Sequence, residues 1–374
     1  MDINFFFSAA IIKNNIYWNS VIDGVLEKFN IGTRKLTTVI PNEGLLTDEM
    51  DASAVLASDD ENIYGVLNCG KYLYKYCEKT NIMSTSYLGL EENRLDLICG
   101  AEVIGDDLFV IPKRQDSIYS INISSGNYKI LDLFSTNQYS IEFNNIAEAA
   151  GNLKYYVLNN ELRKLKIVDL RNISNSPEFK YPESIDYIQD FSIKDESLYY
   201  IDFKGNLCQW YYKNGNRINL TTIPREVCGD KNKWHVEVLC TKNTIWLISS
   251  LRDIAIQLDD KNYDVIQKYT NDSIFNSQYK EYYYSRNINK LKKGNLCYFS
   301  IINTDSMFIV DMETNKGMFI NDISINLDDK VRFYCSINRK FFYEGYMLLD
   351  DYFYYLDHKD YVIDNIADNH SRVV

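Results

Sequence analysis

Histidine is nearly absent. Only His235, His358 and His370 occur, far apart and without metal-ligand spacing, so a His-based metal centre or a Ser-His-Asp triad has little to draw on. Paired cysteines are missing too: Cys69, Cys77, Cys99, Cys208, Cys228, Cys240, Cys297 and Cys335 include no C-x-x-C, and most lie inside apolar runs. They read as reduced thiols packed like small apolar side chains, not as a zinc site or a disulfide framework. No segment approaches the roughly 18 uninterrupted apolar residues of a membrane span. The opening "MDINFFFSAAIIKNNIYWNS" carries an early acid and no basic n-region, and its apolar run breaks at Lys13; it reads as a first strand, not a signal peptide. A cytoplasmic location is the expectation. The five N-x-S/T sequons, such as Asn219-Leu220-Thr221, carry no weight there. Basic residues are outnumbered 40 to 52, a formal charge of -12, which opposes a phosphate backbone or an anionic membrane surface. No nucleic acid and no membrane insertion are expected, and no cofactor or metal is called for.

What is present is a core-forming composition, 46% hydrophobic and 25% charged, with 31 tyrosines that suit half-buried positions on strands. The stretch "SLYYIDFKGNLCQWYYKNGNRINL", from Ser197 to Leu220, is a phrase that recurs. "NNIYWNS", "ENIYGVL", "DDLFVIP", "GNLKYYV", "ESLYYID", "NTIWLIS" and "GNLCYFS" place Tyr17, Tyr64, Phe109, Lys154, Tyr199, Trp246 and Cys297 at equivalent positions, a period of about 45 residues. A second phrase follows some ten residues later, as in "KYLYKYCE", "DSIYSINI" and "DSMFIVDM". Behind it come turn signals, "NIGTRK", "ISSGNYK", "KNGNRI" and "ETNKGMF", whose Gly and Asn accept positive φ cheaply. Another short apolar run precedes each anchor, as in "SAVLAS" and "HVEVLC". Four antiparallel strands per unit of this length is the pattern of a β-propeller blade, and the near-continuous apolar runs follow because both faces of a blade are covered. Gly or Asn every ten or so positions breaks any helical stripe before three turns.

The stretches "NLCQWYYKNGN", "SIYSINISSGN" and "SMFIVDMETNKG" resemble the strand, turn and strand phrases of bacterial Kelch-like, YncE-like and quinoprotein-type propellers, over about residues 5 to 325. No Trp-Asp blade ending, Kelch Gly-Gly pair or sialidase box accompanies them. The resemblance implies an all-β, seven-bladed propeller of four-stranded antiparallel blades over residues 1–335. Residues 336–374 are then a C-terminal tail packed on it. "KFFYEGYMLLDDYFYYLDHKDYVIDN" can be an amphipathic helix, with Tyr346, Leu349, Phe353 and Leu356 at helical spacing, or an eighth blade anchored at Phe341 and Phe353; the helix is preferred. "VRFYCSI" is then an extra strand that helps to close the ring.

Acidic pairs such as Asp59-Asp60, Asp106-Asp107 and Asp350-Asp351 sit mostly at strand entries, where turn and solvation roles suffice, and "KNGN" and "SSGN" lack the P-loop pattern. In a propeller, the loops between the second and third strands and those crossing to the next blade emerge on one face. On this chain they bring Lys113, Arg114, Arg252 and Arg286 near Trp234, His235 and Tyr284, a basic and aromatic set suited to an anionic or glycan ligand. The expected function is a non-enzymatic binding or scaffold propeller that presents loops to a protein or saccharide partner. The alternative is a propeller enzyme of lactonase, lyase or glycosidase type with its site at the centre of the ring.

Overall fold

A strand covered on both faces can carry apolar side chains at successive positions, and the recurring phrases of this chain become such strands. In a computed structural model of the protein, the described residues are 9–19, 26–33, 35–40, 54–67, 72–88, 98–112, 117–132, 143–148, 154–159, 162–170, 172–185, 188, 190–202, 204–228, 236–249, 253–271, 290–300 and 307–320. They form seven four-stranded antiparallel sheets, within residues 9–38, 54–87, 98–132, 143–180, 191–222, 236–270 and 290–320, each with its strands side by side in chain order. Among the described residues, helix is limited to Arg225–Cys228 and a 3-10 turn at Ile173–Asn175. Each of the seven anchors lies on the second strand of a sheet: Tyr17 in Asn15–Asn19, Tyr64 in Asn62–Leu67, Phe109 in Asp107–Pro112, Lys154 in Lys154–Asn159, Tyr199 in Ser197–Ile201, Trp246 in Thr244–Ser249 and Cys297 in Leu296–Ser300.

The turns from third to fourth strand repeat one design. Asn81, Gly126, Gly215 and Tyr263 each donate N–H to the carbonyl four residues back, on Cys77, Asn122, Tyr211 and Asp259, at 2.8–3.1 Å. All four donating residues have positive φ, between 56° and 77°. Asn and Gly enter that region cheaply, which is why they mark these turns in the sequence; Tyr263 enters it at a cost. Side chains reinforce the bend, with Asn122 accepting from Ser125 N–H, Asp259 from Lys261 N–H and Asp311 from Glu313 N–H.

Packing runs face to face in chain order. Ala10, Ile12, Tyr17 and Leu26 meet Leu56, Ile63, Tyr74 and Tyr76. The opposite face of that second sheet, with Tyr64, Val66 and Leu73, meets Leu108, Val110 and Tyr119 of the third. Tyr156, Leu158 and Leu165 of the fourth sheet meet Phe191, Tyr200 and Trp210 of the fifth. Tyr199 and Leu207 turn the other way, to Val238, Leu247 and Ile256 of the sixth, and Trp246 and Ile248 meet Phe299, Phe308 and Val310 of the seventh. Thr244–Ser249, buried at all six positions, shows what two covered faces demand.

First strands of successive sheets lie next to one another from the first sheet to the sixth, and side chains satisfy groups on some of their open edges. Asp190 accepts Val238 N–H at 2.7 Å, Ser192 accepts Cys240 N–H at 2.9 Å, and Lys194 Nζ donates to Lys242 O at 2.8 Å. Each bond advances two residues on both chains, so the two strands run in the same direction, and edge groups that would otherwise lack partners are paired. The first strand of the seventh sheet, Lys290–Lys293, lies against that of the first, Ala9–Ile12. The faces at the two ends of the row are buried as well: Ile11, Ile16 and Phe29 on the first sheet, and Tyr298, Met307, Ile309 and Ile320 on the seventh. The expected tail, the "VRFYCSI" strand, the eighth-blade alternative and the boundary at residue 335 all lie outside the described residues.

Gly65 shows how close the packing is. A Cβ there would stand 2.2 Å from the ring of buried Tyr74, its cross-strand partner. Gly65→Ala is expected to cost about 1–3 kcal/mol by overpacking, read as a lower midpoint in urea. An unchanged midpoint would mean that the ring does not lie over the Gly65 backbone.

Candidate functional site

Clusters of described side chains that combine charge, burial and shifted proton affinity include one that joins two sheets and one within a sheet. The first joins sheets one and two. Glu78, just past the strand Tyr72–Cys77, accepts on Oε1 from Asn15 Nδ2 at 2.7 Å, Tyr17 Oη at 2.5 Å and Lys28 Nζ at 2.9 Å. Asn30 Nδ2 in turn donates to Asn15 Oδ1, and the Lys28 ammonium stands 5.7 Å from the Tyr17 ring centroid. Burial alone would raise the Glu78 carboxyl, but the Tyr17 and Lys28 hydrogen bonds and the Lys28 charge prevail and hold it below the ordinary value. Burial, then the Glu78 bond and charge, push the Tyr17 hydroxyl upward. At neutral pH the acid is ionised and the phenol protonated, so neither is poised to exchange a proton.

The second cluster lies within the fifth sheet. Arg217 donates from Nη2 to Asp202 at 2.9 Å and to Cys208 Sγ at 3.1 Å, and from Nε to Tyr200 Oη at 2.8 Å. Asp202 also accepts the N–H groups of Lys204 and Asn206, each at 2.9 Å. Burial works to raise the Asp202 carboxyl and is overcome by its Asn206 and Lys204 donors and by Arg217, which hold it low. For Cys208, burial and then the Asp202 charge outweigh the Arg217 guanidinium and push the thiol up to about 11. A nucleophilic cysteine needs its thiolate, so this thiol is inert. Both clusters use their valences on frame contacts.

Glu78 belongs to a pattern that sequence reading passes over. The position after the third strand is Ile31, Ile123, Leu170, Tyr212 or Met312 in five repeats, and acidic in two, Glu78 and Asp260. Both acids pair with a lysine of the preceding sheet, Glu78 with Lys28 and Asp260 with Lys194. The acid at a normally apolar repeat position is the signal; its partner, 50 or 66 residues upstream, is visible only in the structure.

All seven expected site residues, Lys113, Arg114, Trp234, His235, Arg252, Tyr284 and Arg286, lie outside the described residues. Their flanks are described. Pro112 and Ser117, Val236, Ser249 and Ile254, and Thr270 and Lys290 are strand ends where a second strand leaves, a third enters, a fourth leaves or a first begins. In antiparallel sheets entered in one direction these ends share one side. Asp253, buried at the entry to the strand Ile254–Asp259, accepts Asn271 Nδ2 at 3.0 Å, just past the strand Val265–Thr270. Asp202 lies in a connection on this same side, and Glu78 lies on the opposite one. Among the described residues, no three His, Cys, Asp or Glu side chains gather as metal ligands, and no helix is long and apolar enough to cross a membrane.

No protein-family model matches the chain, and no curated protein matches it. Solved structures do. Saccharomyces cerevisiae Sqt1 is similar over 84% of this chain and 84% of its own, at 10% identity and a TM-score of 0.52. A streptogramin B lyase is similar over 84% of this chain and 92% of its own, at 10% identity and 0.50. The fold is a β-propeller. The dihydro-heme d1 dehydrogenase NirN, solved in complex with DHE, matches 83% of this propeller at 9% identity and 0.51, and the match spans 64% of that chain, less than two thirds. Identities this low carry the fold alone, and a shared fold does not carry a function.

The shifted groups give two tests. Glu78→Gln is expected to cost about 1.5–3 kcal/mol at pH 7, the range for hydrogen bonds to a charged group. A depressed carboxyl stabilises the fold above its unfolded value of 4.5 and loses that contribution as pH falls towards the folded one, so the difference from wild type shrinks below about pH 4.5. Urea titrations from pH 7 to pH 3 check this, and a pH-independent penalty would contradict it. Cys208 is expected to resist iodoacetamide at pH 8 in the folded protein and to react once unfolded, scored by peptide mass spectrometry; rapid native labelling would refute its assignment as inert.

Proposed function

We propose that the chain is a closed seven-bladed propeller of the non-enzymatic binding or scaffold kind, whose loops on one side receive a protein or saccharide partner. The supporting observation for closure is the contact between the first and last inner strands, with the outward faces of both end blades buried. For the role, the support is that the best-placed acids, Glu78 and Asp202, and the Cys208 thiol are saturated by frame contacts instead of being poised for proton or acyl transfer. A rigid frame of this kind leaves recognition to the loops. Lys113, Arg114, Arg252 and Arg286 would supply charge-assisted hydrogen bonds to anionic groups, and Trp234, His235 and Tyr284 stacking surfaces. Within propellers, the hairpin phrases resemble those of Kelch-like, YncE-like and quinoprotein-type repeats, and that resemblance supports a kinship without selecting one of them.

Thermal unfolding against anionic oligosaccharides, divalent metals and EDTA tests the reading. A ligand of the folded state present at 100 times its Kd adds about 2.7 kcal/mol, a rise of a few degrees in Tm. The expected result is a saccharide-dependent rise lost in Arg252→Ala and Trp234→Ala, or, with a flat panel, a captured protein partner that the same variants release. A metal-dependent rise reversed by EDTA and unaffected by either variant would favour the lactonase, lyase or glycosidase alternative instead.

A further inference from the structure

The turn between the third and fourth strands of the fifth sheet, residues 212–215, holds the one Asn-Gly pair in the sequence, Asn214-Gly215. Such a pair carries its own chemistry. The Gly215 nitrogen attacks the side-chain carbonyl carbon of Asn214; a C–N bond forms, the bond to Nδ2 breaks, and ammonia leaves with the proton of the Gly215 N–H. Water then opens the resulting succinimide at either carbonyl to give aspartate or isoaspartate. The balance is one water in, one ammonia out and one new carboxylate. Glycine favours the step because no Cβ hinders the approach of its nitrogen.

Both residues are exposed, so water has access to them. The nucleophile, however, is engaged. Gly215 donates its N–H to Tyr211 O at 2.9 Å, and Asn214 donates its own to the same carbonyl at 3.2 Å. The Asn214 side chain is held from the other direction, its Oδ1 accepting Asn216 N–H at 2.9 Å. Attack requires the Gly215 nitrogen to give up its proton and Asn214 Cγ to swing onto it, so a hydrogen-bonded N–H and a tethered amide both oppose it. These restraints last only as long as the hairpin is closed. The strand Asn216–Thr222 is the outermost of its sheet and none of its residues is buried, which puts it among the elements that open locally at low cost.

We infer that Asn214 is a modification site gated by the fold, keeping its amide while the outer hairpin of the fifth sheet is closed and losing it by deamidation when that hairpin opens. The product acts back on the hairpin. Isoaspartate adds a methylene to the main chain between residues 214 and 215, where the closed turn pairs Tyr211 with Asn216 and Trp210 with Arg217. The turn then does not close in that register, and Arg217 is withdrawn from Tyr200, Asp202 and Cys208. Opening of this edge is thus recorded covalently and passed on to the buried thiol.

The test is incubation of the full chain at pH 8, folded and in denaturing urea, with peptide mass spectrometry at residue 214, alongside Arg217→Ala, which removes the brace on the outer strand. The expected result is deamidation at least about ten-fold slower in the folded protein than in urea, with folded Arg217→Ala in between. Equal rates in folded and unfolded wild type would refute the gate, and no conversion in urea would remove the site itself. An Arg217→Ala rate no higher than wild type would overturn opening at this edge. Should that variant not fold, wild type in graded sub-denaturing urea replaces it: the rate is expected to rise before the global transition, and a rise only with that transition overturns the local opening. Isoaspartate-containing molecules returned to native buffer are expected to expose Cys208 to iodoacetamide. If they shield it as wild type does, the turn tolerates the added methylene and the coupling to Arg217 falls.

Discussion

The sheets of this protein carry apolar residues on both faces, and those faces are covered largely by neighbouring sheets. Burying one Leu or Phe side chain contributes roughly 1.5–3 kcal/mol, and the sheet faces carry several such residues each. Leaving one face in water would forfeit a sum comparable with the 5–15 kcal/mol by which a domain is ordinarily stable. A row of such sheets therefore has no good place to end. In this chain the first strands of the first and last sheets are in contact, and apolar residues on the outward faces of both end sheets are buried.

The same constraint explains where the polar groups went. A first strand has one paired side and one open edge, and its N–H and C=O groups need partners. Side chains of the neighbouring sheet supply them, as Asp190, Ser192 and Lys194 do for the sixth sheet and Ser58 does for the Ile11 carbonyl of the first. Glu78 and Asp260 fasten adjacent sheets to one another by replacing an apolar residue at one repeat position with an acid. The Asp202, Arg217 and Cys208 cluster braces a single sheet, and burial leaves its thiol unreactive. Groups whose proton affinities depart from the ordinary are here part of the frame, a reminder that such shifts mark ion-pair networks as well as catalytic sites.

A frame of this kind separates stability from function. Substitutions in the connecting loops leave the covered faces alone, so loops can change chemistry without disturbing the fold, and similar folds belong to a lyase and to a heme-related dehydrogenase. The side from which the second-to-third and sheet-to-sheet connections leave is where we propose recognition. On that side the buried Asp253 accepts a hydrogen bond from Asn271.

Local rules were enough for the strands. The anchors from Tyr17 to Cys297 could be found because each repeat must solve the same burial problem with the same chemistry, and Gly126, Gly215 and Asn315 marked turns because few other residues take positive φ cheaply. The links between sheets could not be found that way. Glu78 meets Asn15, Tyr17 and Lys28 from 50 to 63 residues away, and Arg217 reaches Asp202 past a turn that looks like any other. Pairing between distant side chains depends on how sheets twist and face one another, which no local window encodes. By itself the sequence determined that this is an all-β chain built from a repeating four-stranded unit, because periodicity and turn chemistry are properties of neighbouring residues. Only the tertiary structure decided which polar residues fasten one sheet to the next and how the two end faces are covered, because those depend on surfaces that form after the strands have paired.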